Sequence, residues 1–318
     1  MAVLIIGAGL VGSQIARILV QDGETPVLLD RAPQPAALGE IVDLSKVKLI
    51  EGDVLQPFSL AQAIRDHDIS AIVHMAANPM LTIGAQKDPY ASIQLNIMGT
   101  ANVLEAARVL GVKRVVVASS NVLNHHIEGG EGKGDPSREE AYARPISIYS
   151  ACKQAVENIV LNYARWFGVD FVAVRYGAVA GPWSGAGGGG PSNVFRSMLQ
   201  AALRGEEALL PPSRMEWVYS KDAAMGTVLA LRAGALSQRV FNMTMGQLNG
   251  PQEMLAALQA AVPGAKARVN KPADGSPAMQ DNRYASDLSA AKTHLGFVPQ
   301  FQMPAAVADM AQWLRSRD

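Results

Sequence analysis

VLIIGAGLVGSQIARILV, residues 3–20, decides the fold. It opens with an apolar run, and a glycine-rich turn, GAGLVG at 7–12, follows at once. Val11, Ile15, Ile18 and Leu19 then recur at i, i+4, i+7 and i+8, the period of one helix face. The stretch reads strand, turn, helix. Within GxGxxG, Gly7 allows the tight turn, Gly9 lets a pyrophosphate approach the backbone, and Gly12 lets helix and strand pack closely. The helix N-terminus adds free N–H groups and partial positive charge.

The same unit repeats outward from it. PVLLD at 26–30, VKLIEGD at 47–53, AIVHMAA at 71–77, RVVVASS at 114–120 and DFVAVRY at 170–176 read as further strands, with helical stretches between several of them. Strands that are apolar throughout are buried on both faces of a parallel sheet. The expected fold is therefore α/β, a doubly wound parallel (Rossmann) sheet, with a smaller, partly interleaved C-terminal substrate domain. Residues 1–176 form the dinucleotide domain, 177–318 mainly the substrate domain, and 214–245 return to the first. EWVYS at 216–220 and RVFNMTM at 239–245 are short strand candidates, and helical patterns lie near 194–203, 251–261, 286–295 and 304–315.

Composition narrows the function classes. The formal net charge is zero with no basic block, so nothing points to nucleic acid or to an anionic membrane. A single cysteine, Cys152, suits a reducing compartment. The N-terminal stretch lacks the basic segment of a signal peptide, and no run reaches the length of a membrane span. A soluble, cytoplasmic enzyme acting on a small molecule is expected.

Asp30 ends the second strand eighteen residues after Gly12. A carboxylate there accepts ribose hydroxyls and repels a 2′-phosphate, which favours NAD over NADP; Arg31, next to it, softens that preference. Farther along, IYSACKQ at 148–154 places Lys153 one helical turn after Tyr149, on a stripe continued by Val156, Val160, Tyr163 and Phe167. An ammonium on a buried face requires a partner. The pair follows SSN at 119–121, where a fifth parallel strand ends, and ligands of such sheets bind outside the carboxyl ends of strands.

With these residues in place, the chain resembles the extended short-chain dehydrogenase/reductase family, which includes NAD-dependent epimerases and dehydratases. The resemblance covers almost the whole chain. It rests on GAGLVG, GDV at 52–54, HMAA at 74–77, NIMGTANVLEAA at 96–107, VVVASS at 115–120, YSACK at 149–153, RYGAVAGP at 175–182, EWVYSKDAA at 216–224 and RYASDLSAAKTHLGFVP at 283–299. It implies that Tyr149 is the general base, that Lys153 lowers its pKa and holds the nicotinamide ribose, and that Ser120, chosen over Ser119, orients the substrate oxygen. A free tyrosine has a pKa of about 10, so half ionisation at pH 7 needs about 4 kcal/mol in favour of the phenolate. One nearby cation supplies roughly 1–3 pKa units, so Lys153 is expected to do much of this, the positive nicotinamide the remainder.

The resemblance further implies that Leu10, Val11, Asp53, Val54, Met75, Ala76, Ala77, Ser119 and Tyr176 line the dinucleotide groove. Asn96 either supports the site or bonds a neighbouring loop. Asn78, Asn121, His125, Ala178, Trp217 and Arg283 are the candidate substrate contacts. His125 and His126 are adjacent, point apart and lack a third ligand, so no metal is expected. Cys152 is read as packing, and glycines 185 and 187–190 as a lid or a linker. Family members also commonly pair through the helices matching 91–110 and 149–167, which implies a homodimer.

Departures bear on the substrate. Nucleotide-sugar members carry an asparagine where this chain has Ala178, and an arginine where Met215 precedes Glu216–Trp217; Arg214 stands one place early, while Arg283 matches a later phosphate-gripping arginine. The first expectation is thus an NAD-dependent dehydrogenase of a small sugar-like or hydroxy-acid substrate. The alternative is a nucleotide-sugar epimerase or dehydratase; Asn121 stands where a dehydratase carries a carboxylate. A non-catalytic NAD sensor has no need of Ser120, Tyr149 and Lys153 together.

Overall fold

The apolar runs form strands. The computed structural model describes residues 2–77, 88–125, 127–128, 144–270, 281–282 and 284–317. Its main sheet contains β1 (Val3–Ile6), β2 (Val27–Asp30), β3 (Lys48–Glu51), β4 (Ala71–His74), β5 (Arg114–Ser120), β6 (Phe171–Tyr176) and β7 (Val240–Met243). They lie in the order β7-β6-β5-β4-β1-β2-β3. Every neighbouring pair is parallel. The strand order reverses at β1, which opens a crevice between the carboxyl ends of β1 and β4.

Burial on both faces explains the unbroken apolar strands. Ile5, Leu28, Val73 and Val116 pack on one side with Ile15 and Leu19 of α1 (Leu10–Gln21). Leu4, Leu29, Ile72 and Val115 pack on the other with Val103 and Leu104 of α2 (Gly99–Leu110) and Val156 and Val160 of α3 (Ile148–Phe167). Each such side chain, fully buried, contributes about 1.5–3 kcal/mol. The α3 stripe stops being buried sooner than expected. Tyr163 is half-buried, packing on the core and donating its hydroxyl to Glu105, and Phe167 is 51% exposed, touching Tyr163 and Arg108.

A second core holds the other unit. α4 (Gly189–Leu203), α6 (Pro251–Ala261) and α7 (Met303–Arg315) enclose Phe195, Met254 and Met310 around Trp217 and Tyr219. Trp217 and Tyr219 belong to strand Met215–Tyr219, which runs parallel to Ala178–Ala180 and antiparallel to Leu248–Asn249. Between these strands the chain crosses to α5 (Ser220–Arg232), which packs on α1, and to β7 in the main sheet. α4 begins five residues before the apolar pattern, because Gly189 and Gly190 enter its first turn ahead of Pro191.

Candidate active site

Each glycine of the first turn has its own geometric reason. Gly7 has φ +98°, a conformation open to glycine, and a Cβ there would lie 2.9 Å from the Ala76 nitrogen. A Cβ on Gly12 would fall 1.9 Å from the Gly7 carbonyl oxygen. A Cβ on Gly9 would meet no protein atom within 4 Å. Gly9 faces a cavity of about 590 Å³ that runs along the carboxyl edge of the sheet. It is also the N-cap of α1 and supplies no side-chain cap, so the first N–H groups of that helix are available to a ligand.

Asp30 closes one end of this cavity. Its Oδ2 accepts a hydrogen bond from the Ala8 N–H at 2.8 Å and its Oδ1 one from the Ala32 N–H at 3.0 Å, which fixes the carboxylate at the tip of β2. The Asp53 Oδ1 accepts from the Leu55 N–H at 2.9 Å. Met75 and Ala76 both donate their N–H groups to the Ile6 carbonyl, at 2.8 and 2.9 Å. A bare helix N-terminus, an approachable Gly9 and a terminal carboxylate fit a dinucleotide lying across the switch point.

Opposite lies α3, started by a capping box in which Ser147 Oγ accepts from the Ser150 N–H at 3.1 Å and Ser150 Oγ accepts from the Ser147 N–H at 3.2 Å. The first two turns then press Tyr149 and Lys153 against β5, and both are buried. Lys153 Nζ donates to the Ala118 carbonyl oxygen at 2.8 Å and lies 5.5 Å from the centre of the Tyr149 ring. Burial pushes the Tyr149 phenol up to about 12; the Ser120 hydroxyl opposes this and Cys152 adds to it. Burial likewise lowers Lys153 to about 8, against the pull of Cys152 and Glu157. Among the chain's own groups burial dominates the Tyr149 phenol, while the Lys153 ammonium is bonded to the Ala118 carbonyl.

Two buried carboxylates stand behind the pair. Glu157 binds Arg175 at 2.8 and 2.7 Å, and its Oε1 accepts a 2.5 Å hydrogen bond from Ser119. Glu216 accepts from the Thr244 hydroxyl at 2.7 Å and from the Ser286 N–H and hydroxyl at 2.8 and 2.5 Å. Burial alone would raise the Glu216 carboxyl, but the neighbouring His125, then Ser286 and Thr244, hold it below the usual range. His74 is buried, and burial, reinforced by Lys153, lowers it to about 3, so it is neutral. The Thr100 hydroxyl donates to the Asn96 carbonyl at 2.7 Å, so His74 Nε2, 3.1 Å away, is the donor to Thr100.

Of the residues expected in the site, Asn78 and Arg283, like His126, lie outside the described residues. Asn96, His125 and Trp217 are described but stand back from the cavity. Asn96 sits in a π turn, Gln94–Met98, and donates to the Ser92 carbonyl at 2.9 Å. His125 is buried against Tyr284, with its Nε2 3.8 Å from Glu216, beyond hydrogen-bond reach. Trp217 is fully buried on Phe195. All the others line the cavity.

Sequence reasoning missed a clasp at the rim. Gln34 Oε1 accepts from the Ala186 N–H at 2.7 Å and Gln34 Nε2 donates to the Ala186 carbonyl at 3.3 Å, which also receives Trp183 Nε1 at 3.0 Å. Gly185 has no room for a Cβ, which would lie 2.6 Å from Trp183. The glycine run was the one available signal; nothing marked Gln34. Glu157 was missed as well, although a second charge one turn beyond Lys153 was visible. Among the described residues no three His, Cys, Asp or Glu side chains gather to hold a metal ion. Nor is any helix there long and apolar enough to cross a membrane.

Known proteins resemble this chain in sequence and in overall fold. UDP-glucuronate 4-epimerase of Thermodesulfobacterium geofontis is 24% identical over 76% of this chain and 73% of its own. The crystal structure of UDP-glucose 4-epimerase of Thermus thermophilus, a complex with NAD, superposes with a TM-score of 0.78 at 25% identity, covering 99% of each chain. A partial consensus L-threonine 3-dehydrogenase does so with a TM-score of 0.80 at 26% identity, covering 99% of this chain and 100% of that one. The model of the NAD dependent epimerase/dehydratase family matches residues 3–244, and the chain belongs to that family of NAD-dependent enzymes.

Proposed function

We propose that the protein is a nucleotide-sugar epimerase in which Tyr149, Lys153 and Ser120 form the reacting group. The likeness to sugar-nucleotide epimerases over most of the chain carries this reading ahead of the dehydrogenase expected from sequence. Bound NAD supplies the hydride acceptor; Gly9, the α1 N-terminus and Asp30 would hold it. Ser120 and Tyr149 both line the cavity, and a substrate hydroxyl entering there would bridge their two oxygens. Tyr149 takes the hydroxyl proton and Lys153, one turn away, stabilises the phenolate. Ser120 holds the substrate oxygen while the sugar presents its other face, and Tyr149 returns the proton. The Thr227 hydroxyl holds Tyr176 in the wall of the same cavity.

A second reading, an NAD-dependent dehydrogenase, is favoured by Ala178 and Met215, which put apolar side chains where the resemblance expects an asparagine and a phosphate-gripping arginine. Likeness to L-threonine 3-dehydrogenase supports it too. Incubation with UDP-glucose, UDP-glucuronate, polyols and sugar acids separates the two. The epimerase interconverts a UDP-sugar with no net NADH, whereas steady NADH formation from a simple alcohol sinks that reading.

The same proposal includes a homodimer in the cytoplasm. Met98 just before α2, Val109 within it, and Trp166 and Phe167 of α3 expose apolar side chains that a second copy would cover. Trp166→Glu is expected to shift the mass measured by light scattering from dimer to monomer; an unchanged mass refutes this interface.

A further inference from the structure

We propose that Glu157 is a positioning residue of this site, locking the serine end of β5 and the Tyr149–Lys153 helix into one register. The inference rests on the reading of Tyr149 and Lys153 as the reactive pair. Glu157 is buried one turn beyond Lys153 on α3. Its two oxygens meet the Arg175 fork at 2.8 and 2.7 Å, a bidentate arrangement that fixes the carboxylate plane. So held, Oε1 receives the Ser119 hydroxyl at 2.5 Å, and Ser119 adjoins Ser120. Arg175 also donates to Asn124 Oδ1 at 3.0 Å, which anchors the segment after β5. Three elements that each end on a cavity-lining side chain (Ser120 on β5, Tyr149 on α3, Tyr176 on β6) therefore meet at one carboxylate.

A structural ion pair would hold the same parts together, yet it predicts nothing about Lys153. Glu157 is the negative charge on its own helix that opposes the loss of the Lys153 proton. The other titratable groups facing Lys153 are Cys152, which pulls the same way as Glu157 although burial raises its own thiol, His74 on β4, which is neutral, and the Tyr149 phenol, which burial raises.

The test uses the full chain labelled with carbon-13 at the lysine ε-carbons, the Lys153 resonance being identified by its loss in Lys153→Arg. Glu157→Gln is expected to move the Lys153 midpoint down by about half a unit to one unit, and Glu157→Asp to restore it. Ser119→Ala keeps the charge and removes only the tie to β5. It should lower kcat for UDP-glucose interconversion about 10- to 100-fold with KM within about twofold. Should Glu157→Gln fail to fold, Ser119→Ala alone decides. A wild-type Lys153 midpoint in a folded Glu157→Gln, or a wild-type kcat in Ser119→Ala, overturns the assignment. Full turnover in Tyr149→Phe would instead defeat the catalytic reading, and the lysine titration would still judge Glu157.

Discussion

Lys153 points its ammonium at the Ala118 carbonyl oxygen, 2.8 Å away, and through that bond the helix carrying Tyr149 is pinned to the strand carrying Ser120. The cation is buried, and burial lowers its pKa from 10.5 to about 8. The unfolded chain holds this proton more tightly than the folded one. The cost to stability is therefore complete below about pH 8 and is relieved as pH climbs toward 10.5.

Lys153→Met is accordingly expected to stabilise the protein at pH 7 by about 1–3 kcal/mol while abolishing turnover. Urea unfolding at pH 7 and pH 10 checks this. The gain should shrink at pH 10, and a loss of stability at pH 7 contradicts the account.

Tyr149 has the opposite dependence. Its folded pKa of about 12 lies above the ordinary 10, so its contribution to stability is present below pH 10 and fades as pH rises through 12. Tyr149→Phe should lower kcat by about 10²- to 10⁴-fold and leave NAD affinity nearly unchanged. The variant should also resist alkaline unfolding better than the wild type. Steady-state kinetics and unfolding at high pH read the two effects.

The glycines of the first turn separate folding from binding. Gly12→Ala drives a methyl into the Gly7 carbonyl, so it should destabilise the fold by about 1–3 kcal/mol or more. Gly9→Ala meets only open space in the protein and should unfold like the wild type. It should nonetheless bind NAD far more weakly, as titration calorimetry would report. Wild-type affinity in Gly9→Ala would remove the dinucleotide from that turn.

Asp30→Asn keeps the side-chain shape but weakens the bonds from Ala8 and Ala32 and drops the charge. Hydrogen bonds to a charged group contribute about 1.5–3 kcal/mol, so NAD affinity should fall about 10- to 100-fold. Discrimination against NADP should fall with it. Parallel calorimetric titrations of both cofactors measure this; an unchanged ratio argues that Arg31 sets the preference.

The parts of the molecule that sequence made legible are those governed by local rules. β5 matches the expected limits at both ends because its central run, Val115 to Ala118, is packed on both faces of the sheet and Arg114 and the two serines bracket it. GAGLVG was readable because turn geometry admits only glycine at Gly7 and Gly12. Phe167 was misread because periodicity reports a helix face and not where the neighbouring sheet stops. Gly189 and Gly190 read as loop because glycine disfavours helix, yet the first turn of α4 accepts them. Ser119 with Glu157, and Glu216 with Thr244 and Ser286, are bonds between residues far apart in the chain, and no window on the sequence contains both partners.

Gln34 and Ala186, separated by 152 positions, close their two hydrogen bonds across the rim of the cavity. A bridge at the mouth of a cleft is one more contact that must part when a bound molecule leaves past it. The molecule's dwell time is then set partly by a glycine run in the far half of the chain. A catalyst that returns its cofactor to the starting state on every turnover loses nothing by such slow exchange, whereas one that must discharge reduced cofactor each cycle would be throttled by it.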